Sequence, residues 1–102
     1  MKLKLLDFWA PWCGYCAFME ETIAKLGQKY NDIIEISRIN IDEDKELSDK
    51  YQIFGVPTYI LVSESGNILG RISGFQTEVA MEIFIENCLH IGDQNGDQYF
   101  NT

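Results

Sequence analysis

Trp12-Cys13-Gly14-Tyr15-Cys16, set between an apolar run and a long amphipathic segment, is the stretch on which the reading of this chain turns. Residues i and i+3 of a helix lie on one face, so two cysteines at this spacing at a helix start can close a small disulfide ring. The spacing suits a bond that opens and closes. Unpaired N–H groups and the positive dipole end at a helix start favour thiolate over thiol, which makes Cys13 the candidate nucleophile. Cys16, one turn deeper, is the candidate resolving thiol that attacks a mixed disulfide and frees the captured partner.

Two other readings of the pair compete. A zinc site needs about four ligands, and the only further candidates are Cys88 and His90. Two buried structural cysteines also fit, although the aromatic neighbours and helix-opening position argue for partial exposure. The reading adopted needs no metal and no organic cofactor.

On the N-terminal side, Lys2 to Trp9 alternates and then turns wholly apolar, as a strand entering the middle of a sheet does. Leu3, Leu5, Asp7 and Trp9 share one face. Asp7 is thus an acid in an apolar strand that ends almost on the cysteines, a costly placement unless it has a partner or a task. On the C-terminal side, Met19, Ile23, Leu26 and Tyr30 recur at helical steps, predicting one helix from Cys13 to about Tyr30. Glu20, Glu21 and Lys25 lie off that stripe and read as a solvated face.

Ile33 to Ile41 alternates as a second strand, and Asp42-Glu43-Asp44 opens a short helix with Asp42 as its expected N-cap, ending near Tyr51. Strand, helix and strand make a right-handed parallel crossover. Gly55-Val56-Pro57-Thr58 leads into a hairpin of Tyr59–Val62 and Ile68–Ser73; proline at a strand's first residue is tolerated, and the residues alone leave its isomer open. A last helix from about Thr77 to Ile91 is expected to bury Ala80, Ile83, Phe84 and Cys88, with Glu78, Glu82, Glu86 and His90 outside. Cys88 reads as core packing and His90 as a surface residue. Residues 92–102 are polar and are expected to form a poorly ordered tail, leaving 1–91 as one domain. Asp93, Asn95 and Asp97 imitate a calcium loop, but Gly96 is misplaced and the twelfth-position Glu is missing.

The balance of charge narrows the partners. Sixteen acids against eight Lys and Arg give a net charge of −8, which argues against a nucleic-acid surface. No apolar stretch reaches the roughly 18 residues that span a bilayer, and the first six residues are too short for a signal h-region. A cytoplasmic protein is expected, or an extracytoplasmic one if an export signal once preceded Met1.

With these motifs placed, the chain from Lys2 to about Ile91 resembles the thioredoxin family, most specifically in Asp7-Phe8-Trp9-Ala10-Pro11-Trp12-Cys13-Gly14-Tyr15-Cys16. The resemblance implies an α/β thioredoxin fold of order β-α-β-α-β-β-α, a four-stranded mixed sheet flanked by helices. It implies a reductase of protein disulfides, recharged by an upstream reductase. By it Pro57 is the cis-proline that positions substrate, Asp7 moves protons to and from Cys16, and Arg38 neighbours that acid. Trp9, Trp12, Gly14, Tyr15, Val56, Gly74 and Phe75 would surround Cys13 as a substrate ledge.

Three departures carry their own expectations. The family's usual first strand and helix have no counterpart before Leu3, which leaves Ile33–Ile41 as a sheet edge and predicts a monomer with at most weak edge-to-edge pairing. Tyr15 stands where the common motif has proline, and Gly-Tyr is also similar to disulfide isomerases; its N–H near Cys13 would favour the thiolate and a more oxidising disulfide. Glu21 replaces a kinking proline, as in thioredoxin-like domains serving exported proteins. An isomerase or oxidant is therefore the second reading, and a non-catalytic binding module the third.

Overall fold

The computed structural model describes residues 2–94, with side chains through residue 90. Seven elements follow in the order β1 (Leu3–Trp9), α1 (Gly14–Lys29), β2 (Ile34–Asn40), α2 (Lys45–Lys50), β3 (Thr58–Val62), β4 (Ile68–Ser73) and α3 (Glu78–Gln94). The sheet order is β2-β1-β3-β4, with β1 and β2 parallel and the other pairs antiparallel. This is the expected α/β arrangement with a mixed four-stranded sheet.

The apolar run of β1 is explained by its central position, since both of its faces are covered. Leu3 and Leu5 pack with Met19, Ile23 and Leu26 of α1 and Met81, Ile85, Cys88 and Leu89 of α3. Leu6 and Phe8 face the other way, toward Ile39, Ile60 and Leu47 of α2. Helices therefore lie on both sides, and the cysteines sit where β1 hands the chain to α1. The two helices on one side are joined at their rims, where Lys25 reaches Glu78 at 3.8 Å, Lys29 reaches Glu82 at 2.8 Å and the Tyr30 hydroxyl donates to Glu86 at 2.8 Å. The acids expected to point outward are thus partnered across the α1–α3 seam.

Two local expectations are corrected. Asp42 does not cap α2: its N–H donates to Asn40 Oδ1 in a preceding turn, and Asp44 takes the N-cap, accepting the Leu47 N–H at 3.0 Å. Ile83 is not in the core but 57% exposed, because the stripe that meets β3 and β4 is Met81, Ile85, Cys88 and Leu89, with Ala80 and Phe84 half-buried beside it. Apolar residues cover more of α3 than one face needs, and the packing selects among them. The helix also runs to Gln94 rather than ending at Ile91. Residues 92–94, expected in the tail, thus continue α3, while residues 95–102, including Asn95 and Asp97, and the side chain of Asp93 lie outside the described residues.

Glycine is required where α3 crosses β4. A Cβ on Gly70 would collide with Cys88 Sγ and come within 3.1 Å of the Phe84 ring. Gly70→Ala is expected to lower stability in denaturant unfolding by roughly 1 to 3 kcal/mol through overpacking. Adding Cys88→Ala removes the colliding sulfur, so the double variant should lose less than the two single losses added together; strict additivity would show that the crossing is not tight there.

Candidate active site

Pro11 and Trp12 form a tight turn after β1, and Cys13 follows as the N-cap of α1, with extended φ −91° and ψ 109°. Its sulfur accepts the N–H of Cys16 at 3.1 Å. One atom is therefore both the helix cap and the candidate nucleophile, held in the field of the helix start. The donor is the Cys16 N–H, where the sequence pointed to that of Tyr15. Cys13 and Cys16 are joined by a disulfide, with Cα atoms 5.3 Å apart, and both are largely buried. They pack with Ala10, Trp9, Ile41 and Val56.

The loop facing the pair is tied to the sheet. The Val56–Pro57 peptide bond is cis. The Pro57 carbonyl accepts the Gly74 N–H at 2.8 Å, and the Thr58 hydroxyl lies 2.7 Å from the Gly55 carbonyl and 3.1 Å from the Ser73 hydroxyl. Gly74 has φ +85°, a conformation that disfavours other residues. At the far end of the same loop, Arg71 of β4 donates to the carbonyls of Tyr51 and Gln52, at 2.7 and 2.6 Å, closing the C-terminus of α2.

Aromatic side chains stand open around this centre. Trp12 is 67% exposed and its indole N–H reaches both carboxylate oxygens of Asp42, at 3.0 and 3.3 Å. Tyr15 lies tilted on Phe75, ring centroids 6.4 Å apart. The Gln76 N–H lies 3.4 Å from Met19 Sδ, joining the Phe75 loop to α1. Gly14 opens α1, and a side chain there would meet only open space. Phe18 and Phe54, 71% and 93% exposed, were not singled out in the sequence; with Trp12, Tyr15 and Phe75 they are the large exposed aromatics among the described residues.

Asp7 lies behind the disulfide. It is only 3% exposed, pairs in register with Arg38 of β2 on one side and Tyr59 of β3 on the other, and holds Arg38 Nε at 3.3 Å from Oδ2. The Arg38 guanidinium is also stacked on Trp9, 4.7 Å from the ring centroid. Trp9 thus supports both the cysteines and the acid's partner. Asp7 and Cys16 line a single cavity of about 330 Å³ between α1 and the β1–β2 pair, with Met19, Ile23 and Ile36 on its walls and Glu20 and Arg38 at its polar end.

Burial pushes the Asp7 carboxyl up from its ordinary 3.8 to about 6, against the opposing pull of Arg38 and with a small upward push from Glu20. Burial and the Asp7 charge likewise raise Tyr59, so its phenol stays protonated. Cys88, remote from this chemistry by its place in the α3–β4 core, is raised by burial to about 11. Among the described residues, no group of three His, Cys, Asp or Glu side chains is arranged to hold a metal ion.

A disulfide-joined cysteine pair at a helix start, backed by a buried acid and faced by a sheet-anchored proline loop, has the make-up of a thiol–disulfide oxidoreductase. The family model described as Thioredoxin matches residues 1–87, and this chain belongs to the thioredoxin family. It is 34% identical over 85 residues to the thioredoxin of Bacillus subtilis, covering 83% of this chain and 81% of that one. Among solved structures it resembles the germline-specific thioredoxin Deadhead of Drosophila melanogaster, with TM-score 0.78, 30% identity, and 83% and 79% of the two chains covered. It likewise resembles oxidised mitochondrial thioredoxin 3 of Saccharomyces cerevisiae, with TM-score 0.75, 29% identity, and 84% and 78% covered. No helix among the described residues is long and apolar enough to cross a membrane.

Proposed function

We propose that this chain reduces protein disulfides by cycling Cys13 and Cys16 between dithiol and disulfide. The observation that carries the reading is the Cys13 sulfur at the α1 N-cap, hydrogen-bonded by the Cys16 N–H, with Cys16 sharing a cavity with the buried Asp7. The Cys13 thiolate attacks one sulfur of a substrate disulfide; the other leaves as a thiolate. Cys16 then loses its proton to the Asp7 carboxylate and attacks Cys13, breaking the mixed disulfide and releasing the second substrate thiolate. The substrate gains two electrons and the enzyme ends as the Cys13–Cys16 disulfide, which a dithiol reductase upstream returns to thiols.

An extended substrate segment would lie along the cis-Pro57 loop, between Trp12, Tyr15 and Phe75, with Gly14, Val56 and Gly74 allowing backbone approach. The exposure of those rings and the Gly74–Pro57 hydrogen bond support this placement.

The test is a pair of measurements. Wild type should accelerate insulin reduction by dithiothreitol. Cys16→Ser, still able to attack but unable to resolve, should accumulate mixed disulfides with protein substrates that survive denaturing gels and vanish on reduction. A Cys16→Ser protein that traps nothing, together with no acceleration by wild type, would overturn the reading.

A further inference from the structure

Glu20 reads as one acid of a solvated helix face, yet it stands one turn after Cys16 at the polar end of the cavity that holds Asp7. Its Oε1 lies 3.9 Å from Arg38 Nη2, while Nε of the same guanidinium is 3.3 Å from Asp7 Oδ2. One cation therefore serves a buried acid and an exposed one. We propose that Glu20 is a positioning residue for proton transfer at Cys16, acting through the guanidinium it shares with Asp7. The inference rests on the reductase reading above.

The physical reason is competition for a rigid fork. The guanidinium presents its N–H groups in one plane at fixed angles, so a turn toward one carboxylate is made at the other's expense. Its face is held on Trp9 at 4.7 Å, which leaves rotation within the plane as the easy motion. The remaining titratable groups facing Asp7 are Cys16 of α1 and Tyr59 of β3, and the phenol is neutral. Removing the Glu20 charge gives Arg38 wholly to Asp7 and takes away a like charge. Both changes stabilise the carboxylate and weaken it as a base toward the Cys16 thiol.

The experiment follows the Asp7 carboxyl-carbon NMR signal against pH in the oxidised wild type, Glu20→Gln, Arg38→Gln and the double variant. Glu20→Gln is expected to lower the midpoint by roughly half a unit, about threefold in proton affinity. Arg38→Gln should raise it, and on that background Glu20→Gln should move it far less. A midpoint unmoved by Glu20→Gln overturns the proposal, and so does a full shift that persists without Arg38, because that would be a direct field effect.

A kinetic arm uses the aromatic disulfide dithiobis-nitrobenzoate, whose reduction releases one chromophore when Cys13 attacks and a second when Cys16 resolves. In Glu20→Gln the second release should slow relative to the first by up to about threefold well above the Asp7 midpoint, where the carboxylate is fully ionised in both proteins. An unchanged ratio overturns the role in proton transfer. If wild type releases no chromophore, the reductase reading fails instead, and the carboxyl titration still decides the link between Glu20 and Asp7.

Discussion

Cys13→Ser is expected to bring insulin reduction down to the rate of dithiothreitol alone, a loss on the order of 1,000-fold or about 4 kcal/mol of transition-state stabilisation. The hydroxyl has no accessible anion at neutral pH and forms no disulfide, so neither half of the cycle remains. Serine is the informative replacement because Oγ still accepts the Cys16 N–H that Sγ accepts at 3.1 Å, and so keeps α1 capped. A reduced wild type and the variant should therefore unfold at similar denaturant concentrations. Retention of wild-type activity in the variant would remove the nucleophile from Cys13 and with it the proposed cycle.

Asp7→Asn is expected to stabilise the oxidised protein at neutral pH while slowing resolution by Cys16. The folded-state carboxyl titrates at about 6 against 3.8 when unperturbed, because burial outweighs Arg38. Below the lower value both states hold the proton, and the acid costs nothing. Between the two, the unfolded chain has released a proton that the folded chain keeps, so stability falls as pH rises. Above about 6 the full cost is in place, about 3 kcal/mol for a shift of this size. The asparagine variant carries no such titration, so its advantage in urea unfolding should be about 3 kcal/mol near pH 8 and vanish toward pH 4. Arg38 is 43% exposed at its side chain and stays solvated when its partner is neutral. An advantage constant across pH would mean that packing, not ionisation, sets the difference. The activity cost is the counterpart: a base held near neutrality is the one able to take a proton from the resolving thiol.

Much of this was legible in the sequence because hydrophobic period is local information. Met19, Ile23, Leu26 and Tyr30 lie buried on α1 as their spacing requires, and Leu3 to Trp9 is the central strand its apolar run implies. What the period did not determine was choice among equivalent faces and caps. Ile83 lost its place to Met81 and Ile85 because the sheet, not the helix, decides which stripe is inward. Asp42 and Asp44 are both competent caps, and the Asn40 turn decides between them. The site divides similarly. The cysteine pair and Asp7 stand out by residue type, whereas Glu20, the Asp42 hold on Trp12 and the exposed Phe18 and Phe54 depend on register and side-chain direction across elements distant in sequence.

The cap at Cys13 has an outcome for anyone watching the protein in solution. The Cys16 amide proton points at a sulfur that, in the proposed cycle, would alternate between thiolate, mixed disulfide and closed ring, so its resonance frequency and solvent exchange would record which of the three is present. A single backbone cross-peak, in a protein left unlabelled at its thiols, would then serve as an internal gauge of turnover.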